Sequence, residues 1–369
     1  MLAELAHQLK QSIGILHKQD IQMIAQLAPF SGVQNSSALQ LQHLAPPSHH
    51  SVGSAHPTPR SPLTPHPSPL PHSSLLTPHS SLLLGDDCAA IPDGDSYLLL
   101  AAEGMMPFFV DADPWFAGWS AVMVNVSDIY AMGGRPIAVV DTIWSQSAAQ
   151  SQALLAGMRA AAQVYQVPIV GGHTNGHSPY NALSVAILGR ANRLITSFNA
   201  QPGDRLLMVL NPDGKMHPQY PFWNAATEAD PVRLRQDLAI LPDLAERGLC
   251  DAGKDISMGG VVGTTLMLLE TSGCGAVLEI ESIPQVADCP LEKWLTCFPS
   301  YGFLLSVRPE QVASIQRLFH DRHLLCEAIG TVQPGSKLVL RSNSESNSES
   351  IEFWDLDQDP LTGFKPTHA

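Results

Sequence analysis

The sequence predicts two layered domains that combine β-strands with α-helices, in either an α/β or an α+β arrangement. From residue 82 to about residue 340, short apolar runs typical of strands alternate with longer segments of helical periodicity. A turn-rich junction at residues 201–204 divides this stretch into halves of similar size and element content. Two such halves are typical of two domains with a binding site between them.

The amino-acid composition limits the kinds of molecule that the protein is expected to bind. The 369-residue chain carries 34 Asp and Glu against 20 Lys and Arg, a formal net charge of −14. No nucleic acid partner is expected, because binding to a phosphate backbone needs clustered basic residues. The six cysteines show no zinc spacing, which favours reduced thiols in a cytoplasmic protein. No signal peptide and no apolar run of about 18 residues is recognised, so no membrane partner is expected.

Two segments of different character precede the predicted domains. Residues 1–34 are expected to be helical, because apolar residues recur at three- and four-residue steps from Leu2 to Leu16. Residues 35–81 are rich in Pro, Ser, His and Thr and contain no aromatic residue, which predicts a disordered insertion. The irregular spacing of its histidines favours incidental composition over metal binding.

Residues 82–200 form the expected N-terminal domain. Its central helix is predicted to begin after Asp113 as N-cap, with Pro114 at the first helical position, and to end at residues 133–134. Asn125 and Asp128 lie three residues apart and would share one flank of this helix. The apolar stripe expected to face the core is Trp115, Trp119, Val122, Val126 and Ile129. Strands are predicted at 97–102, 137–143, 167–170 and 182–189, and a second helix near 147–165.

Residues 201–341 form the expected C-terminal domain, followed by a low-complexity loop and tail at 342–369. The stretch RSNSESNSES at 341–350 is interpreted as a loop, with one short strand after it at 351–354. Ser257 is predicted to be the N-cap of a helix at 259–271. The other predicted elements are strands at 205–210, 276–280, 302–307, 324–330 and 337–340, and helices at 223–229 and 231–247.

Acidic residues on separate elements of the first half indicate a metal site. Asp86 and Asp87 follow a short apolar run, Glu103 stands at a strand end, and Asp128 lies on an apolar helix. Mg²⁺ prefers oxygen ligands and commonly combines one or two carboxylates with substrate phosphates. Each acid alone has a structural alternative: a turn for the aspartate pair, an exposed strand end for Glu103, and a cap or ion pair for Asp128. Their combination predicts a metal–nucleotide site.

Two glycine-containing segments offer further candidates. Gly171 and Gly172 end a predicted buried strand and would let a ligand approach the backbone, while His173 would contact phosphate, transfer a proton or be structural. In the second half, Lys254 and Asp255 precede two glycines that open a helix, whose N-terminus attracts anions. The alternative is a glycine-rich cap with Asp255 in a turn. Walker and Rossmann motifs are absent from the sequence.

Four segments of the sequence resemble one superfamily, which includes aminoimidazole ribonucleotide (AIR) synthetase, selenophosphate synthetase, thiamine-monophosphate kinase and the hydrogenase-maturation dehydratase. The resemblance extends from residue 82 to about residue 340, and the sequence is most similar to an AIR synthase-related branch. The segments are GDDCAAIP, NVSDIYAMGGRPI, IVGGHTNG and KDISMGGVVGTTLMLLETSGCGAVLEIESIP.

This resemblance implies an α+β, two-domain, PurM-like architecture whose N-terminal domain pairs with its copy in a homodimer. It implies that ATP and Mg²⁺ bind in the cleft and that Asp255 faces the reacting phosphates, with Lys254 or His173 meeting the transferred charge. The implied Mg²⁺–ATP ligands are Asp86, Asp87, Glu103 and Asp128. The residues implied to line the nucleotide are Asn125, Gly171 and Gly172, together with His173.

The sequence departs from each named member of the superfamily. The Cys or selenocysteine and the Lys that selenophosphate synthetases carry in a glycine-rich loop are absent from the region before the GDD segment. His173 and Met258 stand where thiamine-monophosphate kinases have Asp. The resulting hypothesis is ATP- and Mg²⁺-dependent phosphoryl transfer to a small-molecule substrate. The alternative is a nucleotide-binding scaffold without turnover.

Overall fold

The computed structural model describes residues 2–25, 84–344 and 347–364 of the chain. The insertion predicted at 35–81 and the end of the predicted tail lie outside these residues. None of the helices described is long and apolar enough to cross a membrane.

Residues 2–25 of the N-terminal segment, which was predicted to be helical, form a series of short helices. The first helix ends at Lys10, and the chain turns at Gln11 before entering the next one. Leu2, Leu9 and Ile15 are buried in the core of the C-terminal domain, so tertiary packing holds the segment together. The elements are α1 (Leu2–Lys10), α2 (Ile13–Leu16), a 3₁₀ turn (His17–Ile21) and α3 (Gln22–Ala25).

The N-terminal domain is a five-stranded sheet covered on one face by helices. The sheet order is β1-β2-β5-β3-β4, and all neighbours are antiparallel except β3 and β4. The strands are β1 (Ala89–Asp93), β2 (Ser96–Met105), β3 (Arg135–Trp144), β4 (Ile169–Asn175) and β5 (Ala182–Ala191). The helices are α4 (Pro107–Ala112), α5 (Pro114–Ala131) and α6 (Ala148–Tyr165).

Helix α5 is the central element of the fold. As predicted, Asp113 accepts a hydrogen bond from the backbone N–H of Phe116 and Pro114 occupies the first turn. The helix contacts β2 and β5 of its own sheet, α6 beside it, and elements of the C-terminal domain beyond. Residues on almost every side of α5 are therefore buried. Trp115, which was predicted to face the core, is an exception and is 40% exposed.

The C-terminal domain is built on a seven-stranded sheet of order β15-β14-β10-β13-β6-β12-β9, with a small sheet β11-β8-β7 beside it. Its strands are β6 (Arg205–Leu210), β7 (Lys215–Met216), β8 (Phe222–Asn224), β9 (Ala252–Asp255), β10 (Gly275–Glu279), β11 (Phe298–Pro299), β12 (Gly302–Val307), β13 (Leu325–Gln333), β14 (Lys337–Ser344) and β15 (Asn347–Asp355). Its helices are α7 (Pro231–Leu238), α8 (Ile240–Glu246), α9 (Gly260–Ser272), α10 (Leu291–Leu295) and α11 (Val312–His320).

The elements predicted at 223–229 and 341–350 of this domain were wrong. The helix expected at 223–229 is strand β8 followed by a turn, because Trp223 pairs into the small sheet and its indole N–H bonds to the carbonyl of Asn211. In place of the loop expected at 341–350, residues 341–344 of β14 pair with residues 347–350 of β15 in a hairpin. That hairpin forms the edge of the large sheet, where polar side chains can stay in water while the backbone pairs.

Candidate active site

A cavity of about 390 Å³ lies between the two domains and runs along α5. The helix presents Phe116, Ser120, Val124 and Asp128 to it at four-residue steps. At a rise of 1.5 Å per residue, this face is about 18 Å long. An aromatic end near Phe116 is thereby separated from an acidic end near Asp128.

Three carboxylates converge at the acidic end. Asp87 comes from the loop before β1, Asp128 from α5 and Asp255 from the end of β9, so both domains contribute. One oxygen from each lies within 4.8 Å of the others. Glu103, on β2, lines the same cavity. The structure therefore brings Asp255, predicted from the second half, together with Asp87 and Asp128 from the first.

Asp86 has a different environment from its neighbour. Its Oδ1 accepts a hydrogen bond from the backbone N–H of Asp87 at 3.0 Å, and its Oδ2 accepts one from Ser197 at 2.8 Å. Both oxygens are thus committed to the backbone, and the carboxylate of Asp86 is not one of the three that converge. This geometry gives Asp86 a role in holding the loop that carries Asp87.

Lys254 lies between the two aspartates of that loop. Its Nζ is 2.5 Å from Asp87 Oδ1 and 3.6 Å from Asp86 Oδ1, and all three side chains are buried. Burial opposes the charged lysine, but the attraction of Asp87 and Asp86 outweighs it, so the pKa of Lys254 is raised above its usual range. The lysine is a permanent cation bound to the acidic loop.

Burial and mutual repulsion disfavour the charged form of the acids. Burial, followed by the negative charges of Asp255 and Glu103, raises the pKa of Asp128 well above its usual range. Burial and the charge of Asp87 raise the pKa of Asp255 to about 8. Burial also raises the pKa of Glu103. A cation among these groups would offset both effects.

The donor set fits a hard divalent cation. All the converging atoms are carboxylate oxygens, the ligand type that Mg²⁺ prefers. Asp128 Oδ2 is buried and accepts no hydrogen bond from the residues described, which is costly for a polar atom unless a ligand meets it. Asp87, Asp128 and Asp255 are therefore the residues that would hold Mg²⁺, with Glu103 beside them.

Aromatic rings form the other end of the cavity. Phe109 meets Tyr220 edge to face with ring centroids 5.0 Å apart, and Phe116 meets Phe222 in the same way at 5.3 Å. Phe298 packs edge to face against Phe222 and also lines the cavity. Rings in this arrangement suit a planar or apolar body.

Four candidate residues do not line the cavity. Asn125 is completely buried, and its side-chain amide donates to the carbonyl of Ala121 within α5. Gly171, Gly172 and His173 lie exposed on β4, the edge strand of the first sheet. Within the described chain, the structure does not bring these residues to the acidic group.

Other residues of the cavity were missed by sequence reasoning. Lys18 reaches it from the N-terminal segment, and Phe364 from the C-terminal end. Ser257 was predicted to cap α9, but Gly259 is the N-cap, at φ 106°, and Ser257 instead accepts a hydrogen bond from Lys18. No motif or spacing marks these positions, because distant parts of the chain supply them.

Comparison with known proteins agrees with this architecture. The family model of the AIR synthase related protein N-terminal domain matches residues 85–191, and that of the C-terminal domain matches residues 202–343. The fold and site therefore define a two-domain α+β protein of the PurM-like class. The chain belongs to the AIR synthase-related family within it. The superfamily and fold predictions are thus confirmed.

Three similar proteins illustrate the range of this family. An uncharacterised protein of Synechocystis sp. is 52% identical over 99% of each chain. A thiamine-monophosphate kinase of Pyrococcus horikoshii is 25% identical over 74% of this chain and 90% of its own. The structure of Thermotoga maritima PurL complexed with ATP superposes with a TM-score of 0.63 at 17% identity, over 78% of this chain and 48% of that one. The chain is thus similar in sequence to a thiamine-monophosphate kinase, and it shares its fold with a PurL whose structure was determined with ATP.

Proposed function

We propose that the protein is an ATP- and Mg²⁺-dependent enzyme that transfers a phosphoryl group to a small molecule. The observation that carries this proposal is the convergence of Asp87, Asp128 and Asp255 from two domains at one end of a ligand-sized cavity. The presence of a thiamine-monophosphate kinase and an ATP-bound PurL among similar proteins supports the choice of nucleotide.

Each group in the cavity has a role in this proposal. The three aspartates hold Mg²⁺, which when bound neutralises phosphate charge and so favours phosphoryl transfer. Asp86 and Lys254 keep Asp87 in position through the hydrogen bonds of the loop. Glu103 adds an acceptor for a substrate hydroxyl or a water on the same side. The domains on either side of the cavity exclude water from the reacting groups.

The aromatic end would bind the flat or apolar part of a ligand. Tyr220 belongs to the segment between β7 and β8, whereas Phe109 and Phe116 belong to the N-terminal domain. A ligand held between them contacts both domains at once, as it does at the acidic end. A ligand that matches both ends of the cavity has a planar body at the aromatic end joined to an anionic group at the acidic end.

Calorimetric titration of ATP with and without Mg²⁺ tests the proposal. Wild-type protein should bind ATP in a Mg²⁺-dependent manner, and Asp128→Asn should weaken this binding at least tenfold and abolish ATP turnover. The matched control is Asp243→Asn, which changes a half-buried aspartate on α8 paired with Arg247 and should bind ATP like wild type. Full turnover in Asp128→Asn would refute the site, and binding without any turnover in wild type would favour a scaffold.

A homodimer is part of the same proposal. The face of the first sheet opposite its helices carries apolar side chains that are unusually exposed for strand residues. Leu100 and Leu188 are directly paired across β2 and β5, and Val140 lies on the neighbouring strand. A second copy of the sheet would cover this face. The exposed fractions of Leu100, Leu188 and Val140 are 47%, 37% and 42%.

A further inference from the structure

Lys18 lies inside the cavity although it belongs to neither of the two matched family domains. Those matches begin at residue 85, while Lys18 lies in the 3₁₀ turn of the N-terminal segment. Its Nζ donates a hydrogen bond to Ser257 Oγ at 2.9 Å, beside the end of β9 that carries Asp255. The ammonium group is therefore at the acidic end of the cavity.

The segment on either side of Lys18 is anchored, so its position is determined by packing. Gly14 packs so closely on the turn before α9 that a Cβ at this position would lie 2.6 Å from the backbone nitrogen of Gly259. Ile15 is fully buried in the core of the C-terminal domain. On the other side, Gln22 Nε2 donates to the carbonyl of Pro360 at 2.7 Å. Lys18 is not a free surface lysine.

The surroundings of Lys18 leave its charge incompletely matched. In the part of the chain that the structure describes, Lys18 forms no ion pair, and Ser257 Oγ is its hydrogen-bond partner. Burial lowers the pKa of Lys18, while the charges of Asp255 and Glu103 act in the opposite direction. A half-buried ammonium with one neutral partner retains donors for an anion.

The other lysine of the cavity is not available for that task. Lys254 Nζ is bound to Asp87 and lies close to Asp86, so removing it would leave two buried carboxylates without a cation. Among the described residues that line the cavity, the basic ones are Lys18 and Lys254. The cation that can turn to a ligand is therefore Lys18.

We propose that Lys18 binds the terminal phosphoryl group of the nucleotide and stabilises the charge on its oxygens during transfer. The inference rests on the proposed function, which it deepens by assigning to the N-terminal segment a residue of the reaction. The ammonium group, which lies beside Ser257, donates a hydrogen bond to a phosphoryl oxygen. Its positive charge offsets the negative charge of that oxygen. No proton or covalent bond is exchanged with Lys18.

The affinity of the full-length protein for Mg²⁺·ATP relative to Mg²⁺·ADP tests this role, because only ATP carries the terminal group. We expect Lys18→Met to lower the preference for ATP about ten- to a hundredfold, the range of a charge-assisted hydrogen bond. Lys18→Arg should restore part of it. Lys293→Met, which removes an exposed lysine of α10, is the matched control and should keep the wild-type ratio. Thermal melting of each variant shows whether a lost preference for ATP comes from the missing side chain or from unfolding of the protein.

The outcomes distinguish this inference from the proposed function. An unchanged ATP to ADP ratio in a folded Lys18→Met variant would overturn the role of Lys18 and leave the proposed function standing. If the wild type binds neither nucleotide, the proposed function fails, and inorganic pyrophosphate with Mg²⁺ becomes the probe. Pyrophosphate binding that depends on Lys18 would then support an anion-binding lysine. The absence of such binding would overturn both.

Discussion

Lys254 Nζ lies 2.5 Å from Asp87 Oδ1, so a lysine that the sequence offers for a phosphate is already bound to a carboxylate. The two residues are 167 positions apart in the chain and come from different domains. Their contact ties strand β9 of the C-terminal domain to the loop that carries Asp87, one of the proposed Mg²⁺ ligands. The pair therefore stabilises the contact between the two domains as well as neutralising buried charge.

Removing this lysine should destabilise the fold. Lys254→Met would leave Asp86 and Asp87 buried without a cation, at a cost of about 3–5 kcal/mol in the free energy of unfolding. Chemical denaturation measures the loss. Lys215→Met is the matched control, since its pair with Glu228 is exposed and should contribute less than about 1 kcal/mol. Equal stability of the two variants would contradict the buried pairing.

The acidic group should make stability depend on pH in an unusual direction. Burial raises the pKa of Asp255 from its ordinary value of 3.8 to about 8, so the folded state binds this proton more tightly than the unfolded state. The stability that comes from this residue is present below pH 4 and is lost as the pH rises towards 8. Thermal melting in the absence of Mg²⁺ should therefore show this loss in wild type and a flatter profile in Asp255→Asn.

Magnesium should oppose that loss. The ion competes with the protons on Asp255 and its neighbours, so added Mg²⁺ should raise the melting temperature more at pH 8 than at pH 5.5. The pH dependence of melting with and without Mg²⁺ provides the measurement. A stabilisation that is equal at both pH values, or that persists in Asp255→Asn, would argue against binding at these carboxylates.

The crossing of α5 and α6 depends on two glycines. A Cβ at Gly157 would lie 1.9 Å from the carbonyl oxygen of Trp115, and one at Gly118 would lie 2.1 Å from that of Leu154. Gly157→Ala should force the helices apart and cost about 3 kcal/mol in unfolding free energy. Gly171→Ala, where no atom lies within 4 Å of the new Cβ, should change stability by less than about 0.5 kcal/mol. Similar melting of both variants would disprove the close crossing.

Glu270 should hold the C-terminal end of the chain over the cavity. Its buried carboxylate accepts hydrogen bonds from the backbone N–H groups of Leu361, Thr362 and Gly363. In Glu270→Gln one oxygen becomes a donor that faces these donors, which should cost about 2–3 kcal/mol. Denaturation and limited proteolysis near the C-terminus report the loss. The exposed Glu310→Gln serves as control, and equal proteolysis of the two would contradict this role.

The apolar face of the first sheet should control assembly. Val140→Lys would place a charge where a second copy is expected to pack, and should convert a dimer into a monomer in light scattering. Val232→Lys changes another exposed valine, on α7, and should leave the dimer intact. A monomeric wild type, or a dimeric Val140→Lys variant, would refute the proposed interface.

Local patterns predicted most of the elements of the fold. The start of α5 follows from Asp113 and Pro114, because capping geometry depends on neighbours in the chain. Strands β6 and β12 were located at their observed bounds, because short apolar runs bounded by turn residues are consistent with buried strands. The error at 223–229 falls where pairing with the distant strand β11 overrides local preference, whereas the error at 341–350 falls in a hairpin whose polar strands lack the apolar alternation of a strand pattern.

The sequence by itself predicted two layered domains from its periodicity, and the resemblance of its short motifs identified the superfamily and its α+β architecture. It also supplied the acidic residues that are proposed as the site. The tertiary structure decided which of the predicted side chains lie close together. Hydrogen bonds to the backbone give Asp86 a different role from Asp87, and the amide of Asn125 bonds within α5 and does not line the cavity. Lys18 and Phe364, from distant parts of the chain, line the cavity instead. The physical reason is that a site between domains consists of long-range contacts, and no local pattern specifies the side chains that packing brings together.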